Sequence, residues 1–129
     1  MILPIIFLLA GCSFQQDGNF RLVDAKTAAA IDEKLAPIGA ADSFPNGSAK
    51  IFCWMQWQGA KINTRLVTKW QYLTDDVHIV DHSFLIPKKD GVGSVELAMP
   101  QGKVLPPGLY KVDIVLGERV LKTLKFKVD

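Results

Sequence analysis

From residue 49 onward apolar and polar positions alternate with a period of two, the spacing of a strand that buries one face. Ala49, Ile51, Cys53, Met55 and Trp57 share one face of the first such segment, and Lys50, Phe52, Trp54, Gln56 and Gln58 share the other. Past Gly59, the positions Ile62, Thr64, Leu66, Thr68, Trp70 and Tyr72 alternate against Lys61, Asn63, Arg65, Lys69 and Gln71. That pattern predicts a strand with one solvated face. Residues 77–86 are a further β-rich run with mixed faces, and Val95, Leu97 and Met99 mark a short strand before turn-rich residues 100–108. Tyr110, Val112, Ile114 and Leu116 then face one way, Gly117-Glu118 has Gly first as a type II′ hairpin turn prefers, and Val120, Leu124, Phe126 and Val128 return.

Upstream the pattern is less decided. In residues 20–35, Ala28, Ala29 and Ala30 favour helix while Phe20, Leu22 and Val23 favour strand, and the balance leans to a first strand. Residues 37–48, with small side chains, Pro45 and the Asn46-Gly47 pair, read as a loop whose one large anchor is Phe44. About seven strands with no convincing helix make an all-β domain, an antiparallel β-sandwich.

Composition narrows the partners. The chain has 129 residues, 49% hydrophobic and 22% charged, which fits one compact domain and excludes wholesale disorder. Two cysteines do not make a disulfide scaffold. Fifteen Lys and Arg against thirteen Asp and Glu give a net charge of +2 with no basic run along the chain, so the footprint of a nucleic-acid binder is missing.

The first residues carry a different signal. Residues 2–10 are apolar, broken only by Pro4, and are far shorter than the roughly 20 residues that cross a hydrocarbon core. They match the apolar region of a secretory signal. Leu9-Ala10-Gly11-Cys12 resembles the bacterial lipobox, the recognition sequence of lipoprotein signal peptidase. The resemblance implies cleavage between Gly11 and Cys12 and a diacylglyceryl thioether on Cys12, which becomes the acylated first residue and joins the protein to the membrane. No Lys or Arg precedes the apolar stretch, a departure from the usual positive start that points to a start codon upstream. Ser13 after the cysteine resembles the outer-membrane sorting pattern of Gram-negative lipoproteins. The expected organisation is a signal peptide over 1–11, a polar tether over 12–19 and a sandwich domain over 20–129.

Three residues make that sandwich resemble an immunoglobulin-like domain. Cys53 sits in the second strand, Trp70 lies centrally in the third, and Gly108-Leu109-Tyr110-Lys111-Val112 resembles the Gly-x-Tyr-x-Cys start of the sixth. Val112 stands where the second cysteine would be, so the resemblance implies a sandwich without its inter-sheet disulfide, Cys53 as a buried hydrophobe and Tyr110 as a tyrosine corner. The wider run from Pro37 through Phe44, Ile51-Phe52-Cys53-Trp54, Lys69-Trp70 and Pro107 to Val112, ending in residues 121–128, is similar to a broad group of bacterial extracytoplasmic domains that recur in lipoproteins.

Candidate chemistry is sparse. Asp76, His78 and His82 share a face if residues 77–86 are extended, but residues four apart on a strand lie about 13 Å apart, too far to hold one zinc ion without a bulge. Cys53 has apolar strand neighbours that make it inert, and Asp75-Asp76 and Asp32-Glu33 read as solvated turns. Gly91-Val92-Gly93 lacks the helix and lysine of a phosphate loop. No catalytic residues, metal or cofactor are expected. Phe52 and Trp54 stand out because the alternation turns them away from the core. With Gln56 and Gln58 they form either a binding patch for a protein or sugar, or a satellite cluster under the 37–44 loop.

The expectation is a lipid-anchored envelope lipoprotein, facing the periplasm from the outer membrane if the cell is Gram-negative. It would act as a non-enzymatic binding or accessory module, a monomer with an envelope protein or saccharide as partner. The alternatives are an inhibitor or accessory subunit of an envelope complex, with the loop at Asp90-Gly91-Val92-Gly93 as its contact, and a hydrolase using the histidine face. Arg119, Lys122, Lys125 and Lys127 mark the last strand as a protected edge.

Overall fold

The computed structural model describes residues 19–129. The expected signal segment, the lipobox-like residues, the expected acylation site Cys12 and residues 13–18 of the expected tether lie outside the described residues. Nine strands follow one another with no helix among the described residues: β1 (Arg21–Ile31), β2 (Pro37–Ala40), β3 (Ser43–Phe44), β4 (Lys50–Gln58), β5 (Arg65–Tyr72), β6 (Val77–Leu85), β7 (Gly91–Ala98), β8 (Gly108–Leu116) and β9 (Arg119–Val128). They form two sheets, one ordered β2-β1-β4-β7 and the other β3-β9-β8-β5-β6.

The expected sandwich is present, with two strands more than the alternation indicates. Both extra strands come from residues 37–48. β2 pairs with β1, and β3 pairs in parallel with the end of β9, placing Ser43 opposite Lys127 and Phe44 opposite Val128. Four and two residues are too short to show a period, so their pairing comes from tertiary contact rather than local pattern. The Ala-rich segment is strand, because its alternate residues Ala25 and Thr27 are buried in the register that matches Met55 and Cys53 on β4. An outer face of small residues suits that position in a sheet better than a helix with no apolar stripe.

The core lies between the sheets. β4 contributes Ile51, Cys53, Met55 and Trp57, all buried, and β5 contributes Leu66, Thr68 and Trp70. Trp70 and Phe126 meet edge to face with centroids 6.2 Å apart, and Phe126 stacks on Tyr110 at 4.9 Å. The buried Trp70 indole N–H donates to the Thr68 hydroxyl at 3.0 Å, so the one polar atom of that ring is satisfied inside the layer.

Where the alternation misplaces residues, a turn or a bulge is the cause. Ile62 was expected on the buried face of the third strand, but β5 begins only at Arg65 and Ile62 sits 64% exposed in the preceding loop. On β9 a register shift opposite Ile114 and Val115 leaves Leu121 unpaired. Leu121 packs against the core and Val120 is 57% exposed, the reverse of strict alternation, because one extra residue in a strand inverts the faces beyond it. The expected edge at β9 is also covered at its far end, where β3 pairs with it.

Candidate functional site

The histidine face is taken apart by a second bulge. Trp70 lies opposite Val80 while Gln71 lies opposite His78, so Ile79 is extra and the side chains on either side of it change faces. His82 lies opposite the inward-facing Thr68, whereas His78 shares the outer face with Gln71. His78 pairs with Asp81 at 3.3 Å, and Asp76 accepts a hydrogen bond from Gln71 at 2.9 Å. The three expected face-sharing residues therefore serve separate contacts. Among the described residues no three His, Cys, Asp or Glu side chains converge on a metal position.

Cys53 is a free, fully buried thiol. Burial pushes its pKa up to about 12, so the thiolate needed for nucleophilic attack does not form near neutrality. Tyr110 has its hydroxyl on the Pro106 carbonyl, a bond back to the backbone four residues upstream, which is the arrangement of a tyrosine corner. Burial, with Tyr72 beside it as the lesser cause, pushes its pKa up to about 12.

The glycine segment expected to be a contact loop is instead the first part of β7. Gly91 lies opposite Trp57 and Gly93 opposite Met55. A Cβ on Gly93 would lie 2.5 Å from the Phe84 ring, so glycine there lets β6 and β7 close over the core. Asp90 accepts a hydrogen bond from the Gly59 N–H.

The outward aromatics of β4 are roofed. Trp54 is 8% exposed and its indole N–H donates to the Leu35 carbonyl at 2.8 Å, while the Lys26 ammonium lies 5.8 Å from its ring centroid. The roof comes from the turn at residues 32–36, held by Asp32, whose carboxylate accepts from the Lys34 and Ala36 N–H groups. It was expected from the 37–44 loop with Phe44 as anchor. Phe44 lies in the core instead, edge to face with Phe126 at 6.0 Å. Phe52 is half-buried with the Lys50 ammonium 5.9 Å from its ring centroid, and Gln56 is half-buried beside them on the outer face.

A concave apolar site does exist, and the sequence reading missed it. At the end of the sandwich that holds the β5–β6 turn, a hollow of about 320 Å³ is lined by Tyr72, Val77, Ile79, Met99, Leu105 and Tyr110, with Asp75 also in its wall. Both tyrosine hydroxyls are turned onto backbone carbonyls, Tyr72 to Pro107 and Tyr110 to Pro106, so the rings present carbon to the hollow. The only sign in the sequence was the mixed-face character of residues 77–86. Ile79 is exposed because the bulge ejects it from the regular ladder.

Comparison with solved structures places this geometry. An immunoglobulin-like protein from Pseudomonas aeruginosa superposes with a TM-score of 0.62 at 15% identity, covering 85% of this chain and 96% of that one. The fold is immunoglobulin-like. A second match is a part of the Pseudomonas fluorescens alkylpurine DNA glycosylase AlkC, with a TM-score of 0.52 and 10% identity. It covers 86% of this chain but 30% of that enzyme, whose solved complex holds DNA containing an abasic site analog. No protein-family model matches the sequence, and comparison with curated proteins gives no significant match. Within the immunoglobulin-like frame, Trp70 and Tyr110 occupy their expected core and corner positions, and Cys53 faces a core without a disulfide.

Proposed function

We propose that this protein is a lipid-anchored envelope lipoprotein whose immunoglobulin-like domain acts as a non-enzymatic binding or accessory module. The lipobox-like Leu9-Ala10-Gly11-Cys12 supports the anchor. The observation that carries the binding role is the apolar hollow, which sits at the opposite end of the sandwich from Asn19, where the described chain begins. An anchored domain with its hollow at the far end presents that hollow away from the membrane.

The hollow fits an apolar side chain of a partner protein carried next to a basic one. Apolar walls take the first, and Asp75 with its neighbour Asp76 attracts the second. A sugar is the poorer occupant, because the roofed Trp54 offers no free ring face for stacking and the tyrosine hydroxyls of the hollow are already engaged. The buried thiol and the separated histidines favour binding over hydrolysis.

The test is the intact mass of membrane-extracted protein beside a Cys12→Ser variant, followed by cross-linking in membranes of wild type and an Ile79→Asp variant. An acylated species beginning at Cys12 and a cross-linked protein lost on Ile79→Asp are expected. An unmodified Cys12 would overturn the anchor, and identical cross-linking in both would overturn the hollow as the contact.

A further inference from the structure

The sequence has no basic run, yet the fold gathers one. Arg21 opens β1, Lys61 lies in the β4–β5 loop, Arg65 opens β5, Lys88 and Lys89 lie between β6 and β7, and Arg119 opens β9. Register puts all six at one end of the sandwich. Arg21 lies opposite Gln58, Trp57 opposite Gly91, Arg65 opposite Leu85, and Leu66 opposite Leu116 beside the β8–β9 turn. The Ala60 N–H donates to the Lys89 carbonyl and the Asn63 N–H to the Ile86 carbonyl, fastening two of these loops together. All six side chains are exposed, and among the described residues Asp90 and Glu118 are the acids that oppose them at this end.

The other end is close to balanced. Asp32, Glu33, Asp42, Asp75, Asp76 and Asp129 lie there with Lys34, Lys50, Lys103, Lys125 and Lys127, and Lys127 pairs with Asp129. A chain of nearly neutral total charge is thus folded into a molecule with one basic pole. Asn19 lies at the basic pole, where a groove bounded by Asn19, Arg21, Lys61 and Lys89 crosses the surface, and a Cβ on Gly59 would strike the Asn19 carbonyl. Ile62 stands exposed at the tip of the same pole.

We propose that the basic pole docks on the anionic lipid headgroups of the membrane that holds Cys12, with Ile62 entering the headgroup boundary. This rests on the lipid anchor proposed above. The six residues between Cys12 and Asn19 reach at most about 25 Å when fully extended, so the anchor keeps this pole near the surface without fixing its orientation. Electrostatics then sets the orientation. Basic side chains are drawn to an anionic surface within a Debye length of about 8 Å at physiological salt, while the nearly balanced far end feels little net pull. A multiply acylated Cys12 would hold the protein by itself, so the basic surface acts on orientation rather than on retention.

The probe is amine acetylation of the full membrane-extracted protein in vesicles of phosphatidylcholine, with and without phosphatidylglycerol, read lysine by lysine by mass spectrometry. Phosphatidylglycerol is expected to slow labelling of Lys61, Lys88 and Lys89 about fivefold, the size of one basic side chain's attraction to such a surface. Lys34 and Lys103 at the far end should label equally in both vesicles, and salt should abolish the contrast. Equal labelling of the basic pole in the two vesicles would overturn the proposal. Equal protection by soluble polyphosphate without vesicles would also overturn it, assigning the pole to polyanions in solution. The intact mass from the same sample reports acylation separately. If Cys12 is unmodified, the same comparison on protein mixed with preformed vesicles still decides the matter.

Discussion

Trp70 and Trp54 are both tryptophans in regular strands and both are buried, but different parts of the chain bury them. Trp70 lies between the sheets, where its burial follows from the alternation of β5 and from the facing sheet. Trp54 lies on the outside of the other sheet, and its burial depends on one five-residue turn and one lysine. The first arrangement is a property of the whole sandwich and the second of a local roof. Removing each support should therefore have effects of different size.

The largest loss is expected from Trp70→Ala. It empties a site enclosed on all sides and leaves the Thr68 hydroxyl without its donor, so urea unfolding should show a destabilisation of about 3–5 kcal/mol. Gly93→Ala tests the same layer by overfilling it. Its Cβ meets the Phe84 ring, for an expected loss of about 1–3 kcal/mol that the smaller ring-free side chain of Phe84→Leu should partly restore.

Cys53 reports on the inter-sheet layer through pH. Its pKa is raised from 9.0 to about 12, so the native state holds the proton that the unfolded chain releases. The stability this contributes is complete below about pH 9 and is lost as pH rises toward 12. Cys53→Ala should flatten the fall of stability across that window relative to wild type, and native Cys53 should resist alkylation until the protein unfolds.

The roof is expected to be cheaper to break. Trp54→Phe keeps most of the ring and removes the donor to the Leu35 carbonyl, for about 1 kcal/mol. Lys26→Ala should cost about 0.5 kcal/mol, the size of an exposed cation over a ring. If Trp54→Phe proved as damaging as Trp70→Ala, the distinction between layer and roof would fail.

The same distinction explains how much was legible in the sequence. β4 and β5 are long and regular, so their alternation named their own core residues, Trp57 and Trp70 among them. Single-residue insertions at Ile79 and Leu121 carry no composition signal, and each inverts the faces beyond it, so His78, His82 and Val120 were assigned to the wrong neighbours. Phe44 looked like a loop anchor because two residues cannot show a period, and the roof over Trp54 was sought in the wrong segment. The hollow and the basic pole were invisible for another reason. Tyr72, Met99 and Leu105, like Arg21, Lys61 and Arg119, are distant in sequence and meet only when strand order is known.

The parallel pairing of β3 with the end of β9 has a mechanical consequence. The described chain begins at one pole and Asp129 lies at the other, its N–H donating to the Phe44 carbonyl and the Lys127 N–H donating to the Asp42 carbonyl. A force applied between Asn19 and Asp129 runs along the strands. It loads the β3–β9 and β8–β9 hydrogen bonds sideways and together, rather than peeling them apart one at a time. Such a domain can carry tension from one end to the other while its core stays closed.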